Sequence, residues 1–225
     1  MINLAIKRLF DIVGSFLALV FLLPVWIVIP IAIKLDSRGP VFFRQKRLTK
    51  DGRIFEMYKF RSMIVNAEIM DAGLFNFEND PRVTRLGRFL RNCSIDELPQ
   101  LMNILKGDMA IIGPRPSVVY ELGEFGTLNK KYKKRFSMKA GLTGLAQVKG
   151  RNDINWDEKV TLDNQYIDLF NQYGVLIDLK LIILSIFAVF RKDEIYEAKA
   201  NEDLSDAEAA KFAEEEIIRI AHLPD

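Results

Sequence analysis

From Ile12 to Ile33 the chain runs for 22 residues without one charged side chain. No other stretch restricts the fold as much, because so long an uncharged run must find either lipid or a thick protein core. As one continuous helix it would extend roughly 33 Å, enough to cross a bilayer. Two features argue against a simple crossing. Basic residues stand on both sides, Lys7 and Arg8 before the run and Lys34, Arg38, Arg44, Lys46 and Arg47 after it. Basic flanks prefer the cytoplasmic side, so both ends ask for the same side. Pro24, near the midpoint, lacks a backbone N–H and predicts a bend. Each arm would then measure about 18 Å, too short for a ~30 Å hydrocarbon core but suited to entering and returning. The expectation is a re-entrant helical hairpin over 1–36, with a plain spanning helix as the alternative. The run is too long for a cleaved signal peptide, and no small-residue cleavage site precedes Lys34.

Behind the hairpin, the 225-residue chain has room for one domain with a real core. The patterning predicts a mixed α+β domain over 37–196 and an acidic helical tail over 197–225. A net charge of +2 hides an asymmetry: from Glu197 onward nine acids face three bases, so the preceding part carries +8. The single cysteine, Cys93, excludes an internal disulfide framework and is expected to be a small buried residue. The only histidine, His222, lies in the tail, which disfavours histidine-assisted nucleophiles and histidine-rich metal sites.

Along the domain, Val41 to Arg47 and Arg53 to Arg61 alternate like strands, joined by a Lys50-Asp51-Gly52 turn. Lys59 and Arg61 then share one strand face, where they could grip a phosphate or line a solvated edge. Ile64 to Asp71 reads as helical. After an Asn79-Asp80-Pro81 turn, a further helix carries Arg82, Arg85, Arg88 and Arg91 about a turn apart. Leu128 to Lys139 holds six cations interleaved with Tyr132, Phe136 and Met138. Beside a membrane hairpin this basic patch points to anionic lipid headgroups rather than nucleic acid. Gly141 to Arg151 is Gly-rich with a short strand inside, and fits neither a P-loop nor a dinucleotide fingerprint. Trp156 to Phe170 is an amphipathic helix, and Leu181 to Phe190 is apolar for only ten residues, a core or interfacial helix. The tail has a capping box at Ser205 and Glu208 and a helical pattern through Phe212, Ile217 and Ile220, expected to bind a partner or be solvated.

The chemistry concentrates in Asn92 to Pro116, NCSIDELPQLMNILKGDMAIIGPRP. Adjacent acids, Asp96 and Glu97, stand at the start of a short apolar helix that should stop at Gly107. A strand over Met109 to Ile112 leads into a Gly-Pro-Arg-Pro turn whose prolines hold Arg115 extended. An acid pair and a rigid arginine suit a phosphate-bearing substrate with a metal. The bland alternative is that Ser94 and Glu97 form a capping box and Asp96 only favours the helix dipole.

Several pieces in register shift this balance. They are Tyr58-Lys59-Phe60-Arg61-Ser62-Met63, Asp80 to Gly87 (DPRVTRLG), Ser94 to Gln100 (SIDELPQ), Lys106-Gly107-Asp108-Met109, Gly113-Pro114-Arg115-Pro116, Gly144-Leu145-Ala146-Gln147-Val148 and Gly150-Arg151-Asn152. Together they resemble the bacterial sugar transferase family, the monotopic phosphoglycosyl transferases, over about Ile6 to Phe190. The resemblance implies transfer of a sugar phosphate from a UDP-sugar to polyprenyl phosphate with Mg²⁺, at the cytoplasmic face of the bacterial inner membrane. By carry-over Asp96 is the nucleophile and a metal contact, and Glu97 its partner, acting on the metal or as a base. Arg91, Arg115 and Arg151 match family positions that neutralise phosphoryl oxygens, joined by Lys59 as a candidate. Pro116 of the turn is assigned to the uridine portion, and Gln147 to substrate binding. Three departures stand out: Leu23 where a serine often precedes the hairpin proline, Lys149 in a common asparagine place, and Leu48-Thr49 in place of a Gly-containing turn. A covalent double displacement through Asp96 is the expected mechanism, with direct transfer in a ternary complex as its rival. A membrane-anchored, non-catalytic scaffold is the alternative from another class. The sugar, the glycan pathway and the oligomeric state, a homodimer included, are left open.

Overall fold

The computed structural model describes residues 2–70, 80–150, 155–190 and, near the end, 215, 218, 219, 221 and 222. Two helices, α1 (Ile2–Phe21) and α2 (Leu23–Asp36), bend against each other by 64°. The break falls at Leu22 (φ −91°, ψ 13°), and Pro24 sits in the first turn of α2. The sequence had placed the bend at the proline itself. Pro24 instead starts the second arm, where a helix has no use for the missing N–H. Among the described residues no single helix is long and apolar enough to cross a membrane.

Polar residues fasten α1 to the rest of the chain. Lys7, Asp11 and Ser15, each four apart and so on one helix face, are buried. Lys7 Nζ donates to Ile112 O (2.8 Å) and to Asp178 Oδ2 (2.7 Å), and Asp11 Oδ1 accepts from Ile111 N at 2.9 Å. Arg8 donates to the carbonyls of Ile104 (2.6 Å) and Leu105 (2.8 Å). Away from this stripe Leu9, Phe16, Leu17 and Phe21 are exposed, as are Leu23, Ile27 and Leu35 of α2.

Next comes an antiparallel hairpin, β1 (Phe42–Leu48) and β2 (Ile54–Phe60), in which Phe42 lies opposite Phe60. Its turn over Lys50–Gly52 has Asp51 at φ 58°, as a tight hairpin turn requires. Arg61 does not share the fate of Lys59. Its Nη2 donates to Ser37 O (2.7 Å) and Ile33 O (3.3 Å), closing the end of α2. The helix expected over Ile64 to Asp71 is only a 3₁₀ turn, Ala67–Ile69, with Asp71 outside the described residues. Helix α3 (Arg85–Asn92) is capped by Thr84 Oγ1, which accepts from Gly87 N at 2.9 Å. Arg82 therefore lies before the helix, buried on Asp80 at 2.7 Å.

A short helix, α4 (Gln100–Lys106), ends at Gly107 with φ 92°, the left-handed stop the sequence asked for. Strand β3 (Met109–Ile112) follows. Then come α5 (Lys130–Lys134), β4 (Ala140–Thr143) parallel to β3, α6 (Leu145–Lys149), α7 (Trp156–Tyr173) and α8 (Val175–Phe190). Asn155 and Glu158 form a capping box on α7. Apolar cores lie between α4 and the hairpin (Phe55, Met57, Leu101, Ile104) and between α7 and α8 (Tyr166, Ile167, Phe170, Leu181). The mixed helix-and-strand architecture is α+β.

Two surface regions make contacts within the chain. Half of the six cations at Leu128 to Lys139 pair within the chain: Lys131 with Asp157 (2.6 Å), Lys134 with Asp168 (2.7 Å) and the buried Arg135 with Asp163 (2.8 Å), all on α7. The end of the tail is not solvated throughout. Ala221 is buried with Leu122, Leu128, Tyr132 and Val160, and its carbonyl accepts from Asn129 N at 3.0 Å. His222 Nε2 lies 2.9 Å from Leu122 O. The expected capping box at Ser205 and Glu208 lies outside the described residues.

Candidate active site

Ser94 decides how the acid pair is presented. It adopts φ 55°, ψ 19°, a left-handed conformation rare for a residue with a side chain, and makes no capping hydrogen bond. The chain turns sharply there out of α3 into a 3₁₀ turn, Ile95–Glu97, ahead of α4. The capping-box alternative is thereby removed. Asp96 and Glu97 precede the helix on a strained corner, as functional side chains often do.

Both acids line a cleft of about 620 Å³. Lys59, Arg91, Arg115, Pro116 and Gln147 line it too, so seven of the eight site residues expected from sequence meet in one place. Arg151 lies outside the described residues. Cys93, expected to be buried, is exposed at this cleft because the chain turns there at the end of α3. Arg47, Arg135, Lys159 and Asp163 also line it and were missed. Distant partners reveal Arg47 and Arg135, through the carbonyls of Pro116 and Arg115, and no local motif carries that signal.

The charges are divided unequally between the two acids. Lys59 Nζ donates to Glu97 Oε1 at 2.8 Å, and Arg115 Nη2 reaches the same oxygen at 3.5 Å. Burial works against the Glu97 charge, but Lys59 and then Arg115 override it and hold its carboxyl down at about 2. Asp96 is only 7% exposed. Burial, aided by the Glu97 charge and opposed by Lys59, Arg91 and Arg115, pushes Asp96 up to about 6. Of two neighbouring carboxylates, one is locked as a charged partner of the cations and the other is left poised near neutrality. That is the separation expected of groups with different roles.

The turn bearing Arg115 is held by close backbone packing. A Cβ on Gly113 would meet Lys139 O at 2.4 Å, and one on Gly141 would meet Gly113 N at 2.1 Å. Gly113 N donates to Thr143 O (2.9 Å) and Gly141 N to Pro114 O (2.8 Å), stitching the turn to β4. Pro116 O accepts from Arg47 Nη1 at 2.9 Å. On the other wall, neither polar atom of the Gln147 amide has a partner among the described residues, although both are buried. Such a group costs about 1–3 kcal/mol unless a ligand satisfies it, which suits a binding role.

Among the described residues no group of three or more His, Cys, Asp or Glu side chains could hold a metal ion. The acid pair nevertheless fits Mg²⁺ as that ion is commonly bound, by one or two carboxylates together with substrate phosphates. With Glu97 engaged by Lys59, Asp96 is the carboxylate free to share it.

Residues 2–192 match the bacterial sugar transferase family. The chain is 43% identical over 198 residues to galactosyl transferase CpsE of Streptococcus agalactiae, covering 83% of this chain and 42% of that protein. It is 40% identical over 202 residues to the UDP-glucose:undecaprenyl-phosphate glucose-1-phosphate transferase of Escherichia coli K12, covering 87% and 42%. To the undecaprenyl-phosphate galactose phosphotransferase of Salmonella typhimurium it is 37% identical over 205 residues, covering 85% and 42%. The chain thus spans less than half the length of these relatives. With the family matched over nearly its whole length and the acid pair, arginine turn and cleft in one constellation, the chain belongs to the bacterial sugar transferase family.

Proposed function

We propose that this chain transfers a sugar-1-phosphate from a UDP-sugar to undecaprenyl phosphate, releasing UMP, in an early membrane step of bacterial glycoconjugate assembly. The observation that carries the reading is Asp96: a buried carboxylate, poised near neutrality, beside cations that are committed to Glu97. Relatives named for this reaction support the donor and acceptor classes.

In the first step an Asp96 carboxylate oxygen attacks the sugar-bearing phosphorus. A bond forms between that oxygen and phosphorus, and the bond from this phosphorus to the bridging oxygen breaks. UMP departs with the bridging oxygen and its electron pair, leaving an aspartyl-phosphosugar. In the second step a phosphate oxygen of the acceptor attacks the same phosphorus, and Asp96 leaves as a carboxylate. Anion attacking anion is the main barrier, so Lys59, Arg91 and Arg115 are assigned to the phosphoryl oxygens. Asp96 would hold Mg²⁺, which would supply further charge neutralisation when bound. Glu97 keeps Lys59 oriented. Pro116 and Gln147 contact the uridine and sugar portions, and Arg151 remains a candidate cation by family position.

The bent pair α1–α2 is proposed to enter one leaflet and return, holding the site at the cytoplasmic face. Its 64° bend, its exposed apolar faces and the bonding of Lys7 and Arg8 to the domain support this placement. Anionic lipids would then meet the remaining exposed bases.

The test is UMP release from a panel of UDP-sugars with Mg²⁺ in nanodiscs, with and without undecaprenyl phosphate. Release with one donor and a matching mass increase on the protein without acceptor is the expected result. Turnover without any covalent adduct would favour direct transfer, and no release from the whole panel would favour the scaffold.

A further inference from the structure

Arg135 is an arginine in a run of surface-like cations, yet it is 1% exposed. Its Nη2 donates to Arg115 O at 2.7 Å and lies 2.8 Å from Asp163 Oδ2, while its Nη1 donates to Ser117 Oγ at 2.8 Å. Its guanidinium lies 5.0 Å from the ring centre of Trp156. We propose that Arg135 and Asp163 form a buried clamp that fixes the Pro114-Arg115-Pro116 turn, and so aims Arg115 at the acid pair. This rests on reading the cleft as the transferase site.

The argument begins with Arg115 itself. Its side chain is 48% exposed and touches Glu97 at only 3.5 Å, so its own contacts do not fix where it points. The backbone beneath it does. The flanking prolines restrict rotation, and the carbonyls of residues 115 and 116 are held by Arg135 and Arg47. A buried guanidinium is costly unless paired, and Asp163, itself 1% exposed, supplies the counter-charge from α7. Burial raises the Asp163 carboxyl to about 6 in spite of Arg135. Two acceptors and a counter-charge around one planar fork suit arginine and not lysine, whose single ammonium cannot reach them in the same geometry. Arg135 and Asp163 are therefore positioning residues, acting on the phosphates through Arg115.

The test compares kcat and KM for UMP release by the full chain in nanodiscs: unaltered, Arg135→Lys, Arg115→Ala, and both together. Arg135→Lys should lower kcat about 10²-fold, the scale expected for a charge misplaced by about an ångström. KM should change less than about 3-fold, because the interaction lost belongs to the transition state. In the Arg115→Ala background the same change should cost less than about 2-fold more, because both act through one group. Equal fold losses in both backgrounds, or unaltered kcat per folded enzyme with only a lower melting temperature, would overturn the clamp. Should Arg135→Lys not fold, Ser117→Ala removes one acceptor alone. It should lower kcat about 3- to 10-fold with the same non-additivity, and full activity or additivity there would equally overturn it. Absence of UMP release by the unaltered chain would instead remove the transferase reading, and the clamp with it.

Discussion

Two of the buried charge clusters among the described residues are of opposite character. Under α1, Lys7 donates to one oxygen of Asp178 while the hydroxyl of Tyr166 donates to the other at 2.8 Å, and Ile112 O takes a further Lys7 proton. Every oxygen of that acid is satisfied. In the cleft, Lys59 and Arg115 converge on one oxygen of Glu97, and Asp96 is left with a raised pKa. A closed network stores stability and a network with a vacant acid stores reactivity. Sequence distance separates them as well: Lys7 and Asp178 lie at the two ends of the domain, whereas Asp96 and Glu97 are neighbours.

Breaking each cluster should therefore do different damage. Asp96→Asn should cut UMP release by at least about a thousandfold, as loss of a nucleophile does, while the melting temperature in a detergent thermal scan stays near that of the unaltered chain. Comparable activity in the mutant would sink the nucleophile assignment. Lys7→Met should do the reverse. It strands Asp178 and should cost about 3–5 kcal/mol of stability, read by chemical denaturation, with turnover per folded molecule preserved. A smaller effect comes from pH. Only the carboxylate form of Asp96 attacks and burial raises its pKa, so single-turnover UMP release should fall about tenfold per pH unit on the acid side of that raised pKa and flatten above it. For Glu97 the folded pKa, about 2, lies below its ordinary 4.5. Its pairing therefore stabilises the fold above about 4.5, and that contribution disappears as pH falls from there toward 2. The Glu97 contribution to stability should thus titrate below the rate, between about 4.5 and 2, and a Glu97→Gln variant that still loses that acid-side stability would contradict the division of roles. Smallest of all, Lys131→Ala removes a pair whose side chains are 42% and 45% exposed. Such pairs are worth less than about 1 kcal/mol, so neither assay should move appreciably.

Features governed by neighbours in sequence were legible without the structure. The hairpin over β1 and β2 follows from Asp51-Gly52, and the end of α4 from Gly107, since each requires a backbone shape that few residues adopt. The gathering of Lys59, Arg91, Asp96, Glu97, Arg115, Pro116 and Gln147 was legible through their motifs, although no local rule brings β2, α3 and α6 to one cleft. What failed depended on partners far along the chain. Arg135 looked like its five basic neighbours because Asp163 lies on another helix. Lys7 and Arg8 looked like ordinary flanking charges because their acceptors are about a hundred residues or more away. Ser94 and Glu97 satisfied the spacing of a cap, but the turn after α3 had already set Ser94 to a positive φ.

The fastening of α1 has a mechanical consequence. Three polar anchors, at Lys7, Arg8 and Asp11, prevent the first arm from sliding or rolling against the domain. On the proposed reading, that arm is a keel of fixed draught. Changes in bilayer thickness cannot be absorbed by tilting α1 alone, so they must raise or lower the whole enzyme and, with it, the height at which Asp96 meets its lipid-borne partner.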